Sequence, residues 1–85
     1  MNIKFTESNG DIVRFKVLEY QIRSNEDYIL FKGVDTTCCF YNDGDISLSD
    51  SLNKINAIEV SGEVYLATKE GYKKMLDSLK IGNDL

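Results

Sequence analysis

The chain contains no His, no Trp and no Pro, only two Cys, and no run of more than four consecutive apolar residues. Without His it lacks the usual general base near neutral pH, the commonest metal ligand, and the Ser/His and Cys/His pairings of covalent catalysis. The expectation is therefore a protein that is not an enzyme, with no catalytic residue, no metal and no cofactor. The longest apolar runs, Tyr28 to Phe31, Cys38 to Tyr41 and Val64 to Ala67, are too short for a spanning helix or a signal-peptide core. A cytoplasmic location with no membrane contact follows as the expectation.

Cys38 and Cys39 are neighbours. A trans peptide holds their Cα atoms about 3.8 Å apart, short of the roughly 4.4 to 6.8 Å of an ordinary disulfide. In an extended strand their side chains point to opposite faces. They read as two small strand residues in a reducing compartment. Phosphate-cradling motifs are missing too: no Gly-x-Gly-x-x-Gly occurs, and no glycine is followed by Lys. Asp43-Gly44-Asp45 resembles the start of a calcium loop, but counting from Asp43 puts Leu48 where that loop needs Gly and Lys54 where it needs Glu.

What is present fits one domain. The 85 residues are 42% apolar and 28% charged, enough for a single core over residues 1–82, with 83–85 as a frayed tail. Turn signals recur at Asn9-Gly10, Ser24-Asn25-Glu26-Asp27, Asp43-Gly44 and Ser61-Gly62, each between β-branched or aromatic residues. That is the punctuation of antiparallel hairpins.

Register follows from the alternation of apolar residues, because a slip by one exchanges the two faces. A three-residue loop Ser8-Asn9-Gly10 pairs Phe5 with Val13 and Ile3 with Phe15. The next strand changes phase at Val17-Leu18, which reads as a bulge or sharp bend that curls the sheet. Ile29 then pairs with Ile22, and Phe31 with Tyr20. A tight Asp43-Gly44 turn sets Tyr41 opposite Ile46 and Cys39 opposite Leu48. Residues 50–54 read as a short helical turn or loop. In the last hairpin a three-residue loop Ser61-Gly62-Glu63 aligns Val60 with Val64 and Ile58 with Leu66.

From Lys69 the period changes to 3.6, with Tyr72, Met75, Leu76 and Leu79 on one stripe, Thr68 as N-cap and Gly82 at the stop. The expected fold is α+β: one curved antiparallel sheet of five or six strands, with a C-terminal helix packed on one face. Tyr72 and Met75 are core fillers in this reading.

Charge is distributed unevenly. The net charge is -4, and residues 35–63 carry Asp35, Asp43, Asp45, Asp50, Glu59 and Glu63 against Lys54 alone. An acidic surface repels the nucleic-acid backbone and steers encounter with a basic partner. The helix lysines Lys69, Lys73, Lys74 and Lys80 are interrupted by Glu70 and Asp77, so they read as a solvated face. Alternation points Tyr28 and Tyr65 outward, where Tyr is a common interface anchor.

The expectation is a protein-binding domain. Its six middle-segment carboxylates, with Tyr28 and Tyr65, would dock on a basic protein surface without direct nucleic-acid contact. Small acidic single-domain chains of this kind include phage and mobile-element inhibitors of nucleic-acid-handling defence proteins, of the anti-CRISPR and anti-restriction type. A small-molecule-binding or sequestering module with a pocket between sheet and helix is the alternative, and a structural or assembly subunit a second. Open sheet edges add a homodimer to these expectations.

Overall fold

The computed structural model describes every residue except Ser24, Glu26, Asp84 and Leu85, and the side chains of those up to Lys80. Eight strands and one helix follow one another: β1 Asn2–Glu7, β2 Ile12–Lys16, β3 Glu19–Arg23, β4 Tyr28–Lys32, β5 Thr37–Tyr41, β6 Ile46–Leu48, β7 Ile55–Val60, β8 Glu63–Leu66 and α1 Lys69–Asn83. They form two four-stranded antiparallel sheets, ordered β2-β1-β7-β8 and β3-β4-β5-β6. The α+β class and the C-terminal helix agree with the sequence reading. The single curved sheet of five or six strands does not.

The correction has a local cause at Val17-Leu18. The Val17 N–H donates to the Met1 carbonyl at 2.7 Å, inside the first sheet, and the Leu18 N–H donates to the Lys32 carbonyl at 2.8 Å, inside the second. Consecutive amides thus serve different sheets. The phase change marks the point where the chain leaves one sheet for the other, rather than a curl within one. Val17 is buried and Leu18 is 60% exposed, because the crossing turns one side chain in and the next out.

After β6 the chain returns to the first sheet, and β7 inserts between β1 and β8. Ile3 then faces Val60, Lys4 faces Glu59 and Phe5 faces Ile58. Apolar pairs inside and an opposite-charge pair outside favour this register over a slip by one. The inner faces share one core, in which Ile3, Phe5 and Ile58 from the first sheet meet Ile29, Phe31 and Phe40 from the second. Phe5 stacks on Phe15 with centroids 5.8 Å apart, and Phe40 meets Tyr72 edge to face at 5.6 Å.

Helix α1 contributes that Tyr72, and Met75 beside it is buried. Thr68 caps the helix, its hydroxyl oxygen accepting the Gly71 N–H at 3.0 Å. The N-terminus lies close against β8: a Cβ on Gly71 would come within 1.9 Å of the Leu66 carbonyl oxygen. Only glycine permits this approach, despite its cost of about 1 kcal/mol in a helix interior. The helix continues through Gly82 to Asn83 instead of stopping at the glycine. Residues 50–54 form a connection without a helical turn. Ser24 and Glu26 of the expected 24–27 turn, and Asp84 and Leu85 of the 83–85 tail, lie outside the described residues.

Two hairpin registers differ from expectation by one residue. At β5–β6 the loop is three residues long, Asn42-Asp43-Gly44, so Phe40 faces Ile46 and Cys38 faces Leu48. At β7–β8 the loop is two residues, Ser61-Gly62, with φ of 52° and 82°. These are the positive values that a two-residue turn matched to strand twist requires. Ile58 therefore faces Tyr65, and Glu59 faces Val64. Each slip exchanges the faces of a strand: Tyr41 and Cys39 turn outward, while Tyr65 turns inward.

Candidate functional site

The acidic middle segment does not form one belt. Asp35 lies in the β4–β5 connection, and the neighbouring Thr36 donates its hydroxyl to the Asp50 carboxylate just past β6. Asp43 and Asp45 occupy the opposite end of the β5–β6 hairpin, a five-residue strand away, or about 16 Å. Glu59 is on the outer face of the first sheet, 3.6 Å from Lys4. Glu63 opens β8 and is 3.0 Å from Lys74 on the helix. Tyr65, expected to face outward, is only 5% exposed, because the two-residue Ser61-Gly62 turn points it into the core.

One subset does come together, at the end of the second sheet. Tyr28 on β4 and Tyr41 on β5 are directly opposite on the outer face, their rings 5.5 Å apart and inclined by 49°. Cys39 follows on the same face, opposite Leu30. The loop beyond Tyr41 is closed by Asp45, whose carbonyl accepts the Tyr41 N–H at 2.8 Å. The Asp43 carboxylate accepts the Asp45 N–H at 2.9 Å. The Asn42 N–H reaches the Asp27 carbonyl at 2.9 Å, which ties the β3–β4 loop to the β5–β6 loop. Asp45 therefore lies near Tyr41, and Asp27 and Asp43 sit in the two loops at the same end of the sheet.

The loop acids act on tyrosines of both faces. The Cys39 thiol holds the Tyr41 phenol above its ordinary value, and burial, Tyr28 and Asp45 add to the effect. Tyr72, behind the loops, is raised first by burial and then by Asp27. Helix α1 starts beside the same loop, where a Cβ on Gly44 would lie 2.5 Å from Thr68 backbone atoms. The Asp43-Gly44-Asp45 loop thus lies beside the helix N-terminus, an end at which carboxylates are favourable. A small concavity of about 230 Å³ joins Asp43 and Asp45 to Lys54 and Ala67.

The two cysteines are free and face opposite ways, Cys38 buried and Cys39 half-buried. Burial, and Cys39 beside it, push the Cys38 thiol far above its ordinary value, which leaves it without the thiolate character that reactivity needs. Among the described residues no three His, Cys, Asp or Glu side chains come close enough to hold a metal ion. No helix among them is long and apolar enough to cross a membrane.

Asp27, Tyr41 and Cys39 at this end of the sheet, and Glu7 elsewhere, were not singled out as site residues by the sequence. Tyr41 and Cys39 were hidden by the one-residue slip at Asp43-Gly44. Glu7 is the one buried charged residue in the described core, 6% exposed, and accepts a hydrogen bond from the Ser51 hydroxyl across a long stretch of chain. Nothing local in the sequence signals that contact. A cavity between sheet and helix does exist, about 370 Å³ in volume, with Tyr65, Met75, Leu79 and the Glu63–Lys74 pair in its wall. No protein-family model, no curated protein and no solved structure matches this chain.

Proposed function

We propose that this is a protein-binding domain whose contact surface is the outer end of the second sheet, with Tyr28 and Tyr41 at its centre and Asp27, Asp43 and Asp45 at its rim. The observation that carries the reading is the Tyr28–Tyr41 pair: two aromatic rings 5.5 Å apart on an outer sheet face, Tyr41 being 37% exposed. Tyrosine supplies large contact area and a hydrogen-bonding tip, and it dominates binding energy at interface centres. The acids beside the rings favour a cationic partner, because Arg and Lys can lie over an aromatic face while pairing with a carboxylate at its edge.

The partner chemistry is therefore a basic protein surface. A protein that handles nucleic acid offers such a surface, and an inhibitor from a phage or mobile element is the biological form we propose. The acidic contribution is narrower than composition implies. Asp43 and Asp45 belong to it, Glu59 and Glu63 are engaged by Lys4 and Lys74, and Asp35 and Asp50 lie at the far end of the hairpin.

The test is a set of variants measured against the captured native partner at low and high salt. Tyr41→Ala is expected to weaken affinity by about tenfold or more, roughly 1.4 kcal/mol. The pair Asp43→Asn, Asp45→Asn should weaken it and flatten its salt dependence, while Asp35→Asn with Asp50→Asn should leave both within about twofold. Equal effects of the two aspartate pairs would reject the assigned surface.

A further inference from the structure

A concavity of about 580 Å³ lies on the other sheet, lined by Lys4, Arg14, Lys16, Glu59, Ser61 and Gly62 among others. We propose that it is a binding site for a small phosphorylated ligand of the pyrophosphate class, held by Arg14, Lys16 and Lys4. Its volume is in the range of small-molecule sites, roughly 300 to 1,000 Å³.

The charges are gathered against the trend of the chain. The protein has a net charge of -4, yet three cations and one carboxylate line this concavity. Lys4 stands directly opposite Arg14 across the β1–β2 pair, and Lys16 opposite Asn2 on the same outer face. Like charges directly opposite one another destabilise a sheet. Glu59, opposite Lys4 on its other side, relieves one of them at 3.6 Å. Arg14 and Lys16 are exposed, and neither makes an ion pair among the described residues.

Lys4 and Arg14 are about 5 Å apart at Cβ, and Arg14 and Lys16 about 7 Å apart along the strand. A compact ligand with two adjacent phosphoryl groups spans those positions. Arg14 can hold one of them through two parallel hydrogen bonds, and Lys16 acts as a point charge. The patch is three side chains wide and ends at Glu59, beyond which β8 exposes Val64 and Leu66, so a long polyanion would leave it at once for a carboxylate and apolar ground. That limit favours a small ligand over a nucleic-acid strand.

Because β2 is an edge strand, its basic residues could instead serve only to keep edges from pairing. The experiment separates the two. Inorganic pyrophosphate is titrated into the full-length protein and followed by amide chemical shifts, in parallel with a single-stranded oligonucleotide and with Arg14→Gln and Lys16→Gln.

The expected result is saturable binding with a Kd of about 1 mM or tighter at low salt. Shifts should concentrate on Lys4, Arg14, Lys16, Ser61 and Gly62. Either variant should weaken binding by about tenfold or more, with an unchanged or higher melting temperature. The proposal is overturned by non-saturating shifts, by shifts spread over Lys69, Lys73 and Lys80, by tighter binding of the oligonucleotide, or by variants that aggregate while unmodified protein ignores pyrophosphate.

Discussion

The two sheets are alike where they face each other and unlike where they face solvent. Ile3, Phe5 and Ile58 of the first sheet, and Ile29, Phe31 and Phe40 of the second, are buried to the same degree in one core. Outside, the first sheet presents Lys4, Arg14 and Lys16 beside the exposed Ile12, Val64 and Leu66. The second carries a chain of side-chain contacts, with Arg23 donating to Gln21, Gln21 donating to Glu19, and Lys32 near Glu19 at 3.7 Å. That chain runs beside the Tyr28–Tyr41 pair. Packing dictates what faces inward, whereas outward positions are free to differ, and the difference is where specific recognition has room to reside.

If the inner faces are equivalent, truncating either should cost the same. Phe5→Ala and Phe31→Ala are each expected to lose about 3 to 5 kcal/mol in urea unfolding, and a clear inequality between them would break the comparison. Gly71→Ala tests the helix contact that closes the core beside β8. Its Cβ would overlap the Leu66 carbonyl, with an expected loss of about 2 to 3 kcal/mol and a melting temperature lowered in proportion.

Cys38 makes the second sheet's inner face sensitive to alkali. Burial and Cys39 raise its folded-state value above the ordinary 9.0, so above that pH the unfolded chain loses a proton that the folded chain keeps. Stability is fully present below pH 9 and falls as pH rises, by up to about 1.4 kcal/mol per unit. Cys38→Val should flatten that slope, as read from denaturation midpoints across the alkaline range.

Smaller still is the turn that sets the first sheet's outer face. Ser61 at φ 52° is strained relative to Asn, and Ser61→Asn should gain about 0.5 to 1 kcal/mol. On the second sheet's outer face, Tyr41→Ala should change stability by about 1 kcal/mol or less while reducing binding, which is the dissociation of roles that the comparison requires.

Hairpins, the helix stripe and the Val17-Leu18 break were legible in the sequence because they are local. The Asx-Gly loops show what a closer local reading adds. Asn9-Gly10 and Asp43-Gly44 close in the same way, each Asx side chain accepting the N–H two residues on, at 3.0 Å and 2.9 Å. In both loops the Gly N–H bonds to the carbonyl three residues back. The same rule applied at Asp43 gives the three-residue loop and turns Tyr41 outward. Ser61-Gly62 forms the shorter loop with both residues at positive φ, and apolar alternation misled there because β8 exposes Val64 and Leu66.

Strand order was not legible. It depends on β7 returning to β1 from the far end of the chain, and on charges such as Lys4 and Glu59 meeting only in the folded state. For the same reason the acidic count was readable and its dispersal was not.

The most direct measurement is an amide-shift map of the full-length protein titrated with a short arginine-rich peptide. The account predicts saturable changes at Tyr28, Tyr41, Asp43 and Asp45, absent in Tyr41→Ala, with the Asp35 and Asp50 amides unmoved. Changes that follow every exposed carboxylate alike, or that persist in Tyr41→Ala, would contradict it.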